Sequence, residues 1–290
     1  MLVYKESGCT SFDVVARLRR LCQQKSVGHT GTLDPLAEGL LVVALGKALR
    51  TVEYMESHDK GYLAVVSFGM STDTYDAEGQ PVAYGNAALV TAEKLRGVLP
   101  TFSGAISQTP PVYSALKRNG RKLCDLARQG QKINLEARPV FIQAISLLDF
   151  KDNQAVLEIS CSKGTYIRSL AHDLGQALGC PAHLTALTRT FCGPFRAEEA
   201  HTLTMLKEAA AESSLERFVL PIDSGMGDIT AVVLSDKAVH HLKNGRSVLY
   251  QTDQLMNGQK VRVYGCGLPL IAVCLWHQDK QVLVPVKVFL

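Results

Sequence analysis

Leu157, Ile159 and Cys161 alternate with Glu158 and Ser160 in one short run, and this period of two constrains the fold more than any other feature of the chain. Successive side chains of a strand point to opposite faces, so the run has one dry and one wet face. It belongs in a sheet covered on one side. Residues 140–150 supply a neighbouring strand, residues 166–178 follow with a helical apolar pattern, and residues 184–189 read as a further strand. The large unit is therefore expected to be a sheet with helices against it.

The remaining segments extend this layout. Residues 2–5 read as a short strand, and Thr10 or Ser11 can cap a helix whose apolar positions are Val14, Val15, Leu18 and Leu21. Strands are expected at 40–45 and 62–68, and helices at 47–55, from Thr91 through Val98, and around 123–128. TDTYDAEG, residues 72–79, is turn chemistry, with Asp73 and Asp76 expected to close turns through their own backbone. PIDSGMGD, residues 221–228, is the clearest linker. It separates residues 1–222 from 228–290, where strand-like runs at 260–264, 270–276 and 282–288 predict a small β domain.

A chain of 290 residues that is 47% hydrophobic can bury a large core. No apolar run reaches the roughly 18 residues of a membrane span, and the opening MLVYKESGCTSFDVV lacks a signal peptide's order, so a cytoplasmic protein without a membrane partner is expected. Eight scattered cysteines then read as reduced thiols. The net charge of +4 is small, but its distribution is uneven. Residues 107–132 set six bases (Lys117, Arg118, Arg121, Lys122, Arg128, Lys132) against Asp125 alone, and residues 225–290 hold seven Lys or Arg and four Asp. Residues 196–217 carry five glutamates and read as a solvated helical face. Two basic regions around an acidic one suggest a polyanion touching both, although bases also decorate ordinary surfaces.

VGHTGTLDP, residues 27–35, admits three readings. A phosphate-binding P-loop needs a lysine after its last glycine, and Thr32 and Leu33 stand there. A zinc site needs paired ligands, and His29 alone, or Cys180, His183 and Cys192, lack the usual spacing. No metal is expected. The third reading has the glycines in backbone conformations barred to other residues, so that Asp34 is presented from a tight turn fixed by Pro35. CSKGTYIRSLAHDLG, residues 161–175, brings Tyr166 and Arg168 to a strand–helix junction. An arginine fork there can orient a catalytic carboxylate and keep it ionised, or simply form a structural ion pair. Tyr62 on its strand offers a ring on which a planar base could stack, or a core aromatic.

Four motifs in order, GHTGTLDPLAEGLL (28–41), KGY (60–62), PPVYSALKRNG (110–120) and SKGTYIRSLAHDLG (162–175), resemble those of the TruB family of tRNA pseudouridine-55 synthases. The resemblance implies an α+β fold: a mixed, largely antiparallel central sheet with flanking helices, plus a small C-terminal β domain of PUA type. It implies Asp34 as the nucleophile that lets the uridine glycosidic bond to N1 break and a bond to C5 form, without redox change and without a cofactor. Tyr62 would stack on the target base and help remove its proton, and Arg168 would pair with Asp34. Tyr166 would neighbour the pocket, His29 would fill the space left by the extruded base, and Leu187 would pack near the uracil. Lys5 would end its strand near the pocket.

The implied substrate is tRNA. The family's insertion, here about 107–132, would grip the T arm through Lys117, Arg118, Arg121 and Lys122, and residues 228–290 would reach the acceptor stem. A monomer is the simplest expectation. The chain departs from many members at Glu6, Cys124 and Thr188, outside the Asp34, Tyr62 and Arg168 set. A non-catalytic RNA-binding protein on the same scaffold, or a synthase acting on another RNA, stays open at this point.

Overall fold

The computed structural model describes residues 1–114, the backbone of Lys117–Arg118 and Arg121–Lys122, and residues 135–289. The helix expected around 123–128 lies outside the described residues.

The chain opens with β1 (Leu2–Lys5), α1 (Ser11–Leu21), β2 (Val27–His29), β3 (Glu38–Leu45) and the short α2 (Val52–Met55). Thr10 caps α1: its side chain accepts from the Asp13 amide while the Asp13 carboxylate accepts from the Thr10 amide. Val14, Val15 and Leu18, one helical face, are buried, and each such side chain contributes about 1.5–3 kcal/mol. Then come β4 (Lys60–Phe68), the hairpin β5 (Met70–Thr72) and β6 (Pro81–Tyr84), α3 (Ala92–Val98) capped by Thr91, and β7 (Gly104–Gln108). The ladder β8 (Lys117–Arg118) and β9 (Arg121–Lys122) leads to β10 (Arg138–Lys151) and β11 (Gln154–Cys161). After α4 (Ile167–Ala177) the chain forms β12 (Ala182–Cys192), β13 (Phe195–Arg196), β14 (His201–Thr202) and α5 (Leu203–Ala211).

The central sheet runs β14-β1-β3-β12-β4-β11-β10-β7, with β2 on β3 and β13 on β12. Only β1 with β14 and β3 with β12 are parallel, so the sheet is mixed and largely antiparallel as expected. In β11 the alternation holds: Leu157, Ile159 and Cys161 are buried and Glu158 is exposed. Strands β4 and β12 lie in the middle of the sheet, which places Tyr62 directly opposite Arg189 across one ladder and Ile159 across the other. One expectation fails. Residues 196–217 do not form one solvated helix: the end of β13, a 3-10 turn and β14 come first, Glu199 accepts from the Arg196 amide, and α5 buries Leu206 and Ala209 in the core. Residues 72–79 form the expected turn, and it joins β5 to β6 in a hairpin in which Met70 and Tyr84 pair.

A second sheet, β15 (Thr230–Leu234), β16 (Val248–Leu249), β17 (Lys260–Gly265), β18 (Leu270–His277) and β19 (Val282–Val288), runs β15-β17-β18-β19-β16 and has its own core around Trp276. It also carries a helix, α6 (Asp236–Lys243), whose Val239 and Leu242 are buried; the sequence presented this unit as β only. Tyr54 of α2 joins the two units, packing with Met226, Leu270, Val273 and Phe289, while the Lys260 and Lys287 ammonium groups lie 5.3 and 5.5 Å from its ring centre. Among the described residues no helix is long and apolar enough to cross a membrane, and the described cysteines are unpaired thiols.

Candidate active site

The loop from Thr30 to Ala37 is held at almost every residue. The Thr30 amide donates to Val42 O, and the Ser11 hydroxyl both accepts from the Leu33 amide and donates to Leu33 O. The Ala37 amide donates to Asp34 O, closing a four-residue turn with Pro35 at its second position, where a fixed φ favours the turn. Pro35 O accepts from the Gly8 amide, and Leu36 O from the Ser7 hydroxyl. Asp34 is thus presented from a tight turn as expected, but the glycines before it do not supply special backbone. Neither Gly28 nor Gly31 has positive φ. A Cβ at Gly28 would lie 2.6 Å from the end of the Leu49 side chain, a crowding that a shift of that side chain relieves.

Arg168, at the start of α4, meets this turn. Its Nε lies 2.9 Å from Asp34 Oδ2, off the N–H line, so the contact is Coulombic rather than a directed hydrogen bond. Nη1 lies 3.4 Å from Asp76 Oδ2 and donates to Thr74 O at 3.2 Å, while Nη2 donates to Tyr113 O at 3.0 Å. The Arg168 and Asp76 side chains are 6% and 5% exposed and Asp34 is 38% exposed. A buried cation therefore serves one hidden carboxylate and one that faces solvent. Only the second is free to react. Asp76 does close its turn as expected, accepting from Thr74 Oγ1 and the Glu78 amide, but its other oxygen supports Arg168. Sequence reasoning missed this second role; the spacing Thr-x-Asp inside a turn does not reveal a partner 92 residues away.

These groups open onto a cavity of about 510 Å³ whose lining includes Asp34, Lys60, Tyr62, Tyr166, Arg168, Leu187 and Arg189. Tyr166 is fixed by Gln108, whose side chain accepts from its amide at 2.8 Å and donates to its carbonyl at 3.0 Å. Burial pushes the Tyr62 phenol above the usual tyrosine range, with the Arg189 charge opposing, and burial likewise raises Tyr166. The Lys60 ammonium, lowered by burial, donates to His58 O.

The structure brings Asp34, Tyr62, Arg168, Tyr166 and Leu187 together. It does not bring His29 to the cavity lining: His29 ends β2, with Nδ1 buried and unpartnered and its pKa lowered first by burial and then by the Arg189 charge. Lys5 is fully buried, and its ammonium donates to Glu6 O, Cys9 O and Pro35 O, so it braces the Asp34 turn and does not line the cavity. The side chains of Lys117, Arg118, Arg121 and Lys122 lie outside what is described. Among the described residues no group of three or more His, Cys, Asp and Glu side chains could hold a metal.

The family model for the N-terminal domain of TruB family pseudouridylate synthases matches residues 19–167, and that for the tRNA pseudouridylate synthase B C-terminal domain matches residues 168–226. This chain belongs to the TruB family. The match divides at Arg168, so residues of both family segments line the cavity beside Asp34. Curated relatives named tRNA pseudouridine synthase B include one from Clostridioides difficile (strain 630), 40% identical over 248 residues, covering 85% of this chain and 82% of the relative. Another, from Dehalococcoides mccartyi (strain CBDB1), is 38% identical over 294 residues, covering 99% and 95%. Among solved structures, a Cbf5-Nop10-Gar1 complex superposes with a TM-score of 0.74 at 26% identity, covering all of this chain and 84% of that one. The archaeal box H/ACA sRNP Nop10-Cbf5 complex gives the same score at 24% identity, covering all of this chain and 86% of that one, and shares the fold.

Proposed function

We propose that this protein isomerises the uridine at position 55, in the T loop of tRNA, to pseudouridine. The observation that carries the reading is the Asp34 carboxylate, partly exposed at the cavity, paired with a buried arginine and sharing that cavity with Tyr62. A uridine inside a folded loop offers neither C1′ nor C5 to a side chain, so the base must be flipped out. Asp34 then adds to either the ribose or the uracil ring and the C1′–N1 bond breaks; the base turns, C1′ bonds to C5 and the bond to Asp34 is released, while the proton leaves C5 and N1 gains one. The reaction is an isomerisation without oxidation.

Arg168 orients Asp34 by pairing with its carboxylate. Tyr62 carries the base. Because burial keeps its phenol protonated at neutral pH, Tyr62 takes the C5 proton only while passing its own on. Tyr166 and Leu187 shape the pocket around the uracil. Residues 1–222 form the catalytic domain and residues 228–290 a PUA-like RNA-binding domain. The basic segment at about 107–132 grips the T arm, and the C-terminal domain reaches the acceptor stem. A tRNA substrate assigns the protein to the cytoplasm.

The test incubates the protein and Asp34→Asn with an unmodified T-arm stem-loop and maps pseudouridine at single-nucleotide resolution. The expected result is conversion at position 55 by the wild type and none by the variant, with RNA binding retained by both. Conversion elsewhere, or none by the wild type, overturns the substrate; turnover by Asp34→Asn overturns the mechanism.

A further inference from the structure

Arg189 is the second buried arginine of the cavity, 3% exposed, and the assigned chemistry gives it no task. Its guanidinium is spent on the opposite side of the Asp34 loop from Arg168. Nη1 donates to Gly31 O at 3.2 Å and to Leu40 O at 3.3 Å, and Nη2 donates to Thr32 O at 2.8 Å. Gly31 and Thr32 are the residues two and three before the nucleophile, and Leu40 lies just beyond the turn. The loop is therefore gripped on both flanks by one side chain. No carboxylate pairs with Arg189 among the described residues, and its Nε is buried without a partner.

The same guanidinium lies 5.6 Å from the centre of the Tyr62 ring, within reach of a cation–π contact. The register explains why: Arg189 and Tyr62 face each other across β12 and β4, so both side chains leave the same face of the sheet. The other neighbour of β12 is the start of β3, where Gly39 pairs with Arg189. Gly39 has φ +97, and a Cβ there would stand 2.4 Å from Arg189 O. The glycine lets β3 come close enough for Arg189 to reach Leu40 O.

We propose that Arg189 is a positioning residue that fixes the distance between the Asp34 loop and the Tyr62 ring, and so between the nucleophile and the base it attacks. One rigid, planar fork donates to carbonyls of the loop and also lies against the Tyr62 side chain. Lysine cannot do this, because a compact ammonium satisfies hydrogen bonds without offering a plane. The assignment rests on the proposed reaction for its kinetic consequence, and on loop geometry alone for its structural one.

Two measurements separate these. Amide hydrogen exchange of peptides covering residues 30–37 needs no substrate. Arg189→Lys should speed exchange there about tenfold or more while leaving peptides of β18 and β19 unchanged; unchanged exchange at 30–37 overturns the positioning role whatever the substrate. Single-turnover conversion of unmodified tRNA should fall on the order of 30- to 100-fold in Arg189→Lys, the loss that a misplacement of about 1 Å produces, with the tRNA Kd within about threefold. A wild-type rate in Arg189→Lys overturns the proposal. A loss carried wholly by the Kd does so too. If the wild type converts no tRNA, the proposed substrate has failed and the exchange result alone decides the role of Arg189. Arg189→Ala leaves a guanidinium-shaped void. Millimolar guanidinium, and not urea at the same concentration, should recover at least about fivefold of its lost rate, and equal response to both would count against positioning.

Discussion

Replacing Asp76 by asparagine removes one charge and almost no volume, which makes it the sharpest probe of the Arg168 centre. The amide oxygen can still accept from Thr74 Oγ1 and the Glu78 amide, so the turn keeps its shape. What disappears is the attraction between two buried groups whose nearest atoms are 3.4 Å apart. At an effective dielectric of about 20 that attraction is about 5 kcal/mol gross. Asp34, Thr74 O and Tyr113 O still compensate the cation, and the carboxylate no longer has to be desolvated. A net loss of about 1–3 kcal/mol remains. For a cooperative unit of roughly 200 residues this lowers Tm by about 2–10 °C in calorimetry. The catalytic effect is separable. Arg168 can now swing toward its one remaining anion, so single-turnover conversion should fall about 10- to 100-fold while tRNA affinity stays within about threefold. Loss of Tm with an unchanged rate would refute the reasoning, because Asp76 would then be a turn residue and nothing more.

Burial raises the Asp173 carboxyl to about 6, so folded molecules hold its proton at pH values where unfolded ones have lost it. The resulting stability is fully present below about pH 4 and lost as pH rises through 6; Asp173→Asn should therefore gain about 1 kcal/mol over wild type at pH 7.5, after discounting for partial exposure, and nothing at pH 4, read from urea midpoints. Gln108→Ala unpins both backbone groups of Tyr166 and should cost about 2–3 kcal/mol in the same assay. If residues 225–290 contact phosphates, deleting them should flatten the dependence of tRNA affinity on salt, and an unchanged slope would show that they do not.

The sequence was most informative where one local pattern has one structural outcome. The alternation in β11, the Thr10 and Thr91 caps and the Asp-Pro turn all depend on neighbours within a few residues, and all formed as their patterns predicted. The pairing of Asp34 with Arg168 was legible only through the family motifs, since nothing local joins residues so far apart. Arg189 was passed over because its strand reads as ordinary, and its function depends on which strands flank it. Lys5 does end its strand beside the Asp34 turn, but three carbonyls take up its buried ammonium, which the resemblance alone did not reveal. Gly28 and Gly31 were expected to supply special backbone, but neither has positive φ, and the left-handed glycine beside the site is Gly39.

The grip of Arg189 on the loop spans 158 residues of sequence. At about 5–20 residues per second, a ribosome needs roughly 8–30 s between making the acid and making the arginine that locates it. Throughout that interval the nascent chain carries a carboxylate with no fixed target distance, close to a ribosome crowded with tRNA. If Arg189 locates the loop as proposed, the site is complete only once β12 lies between β3 and β4, and a chain ending before residue 189 should be inactive.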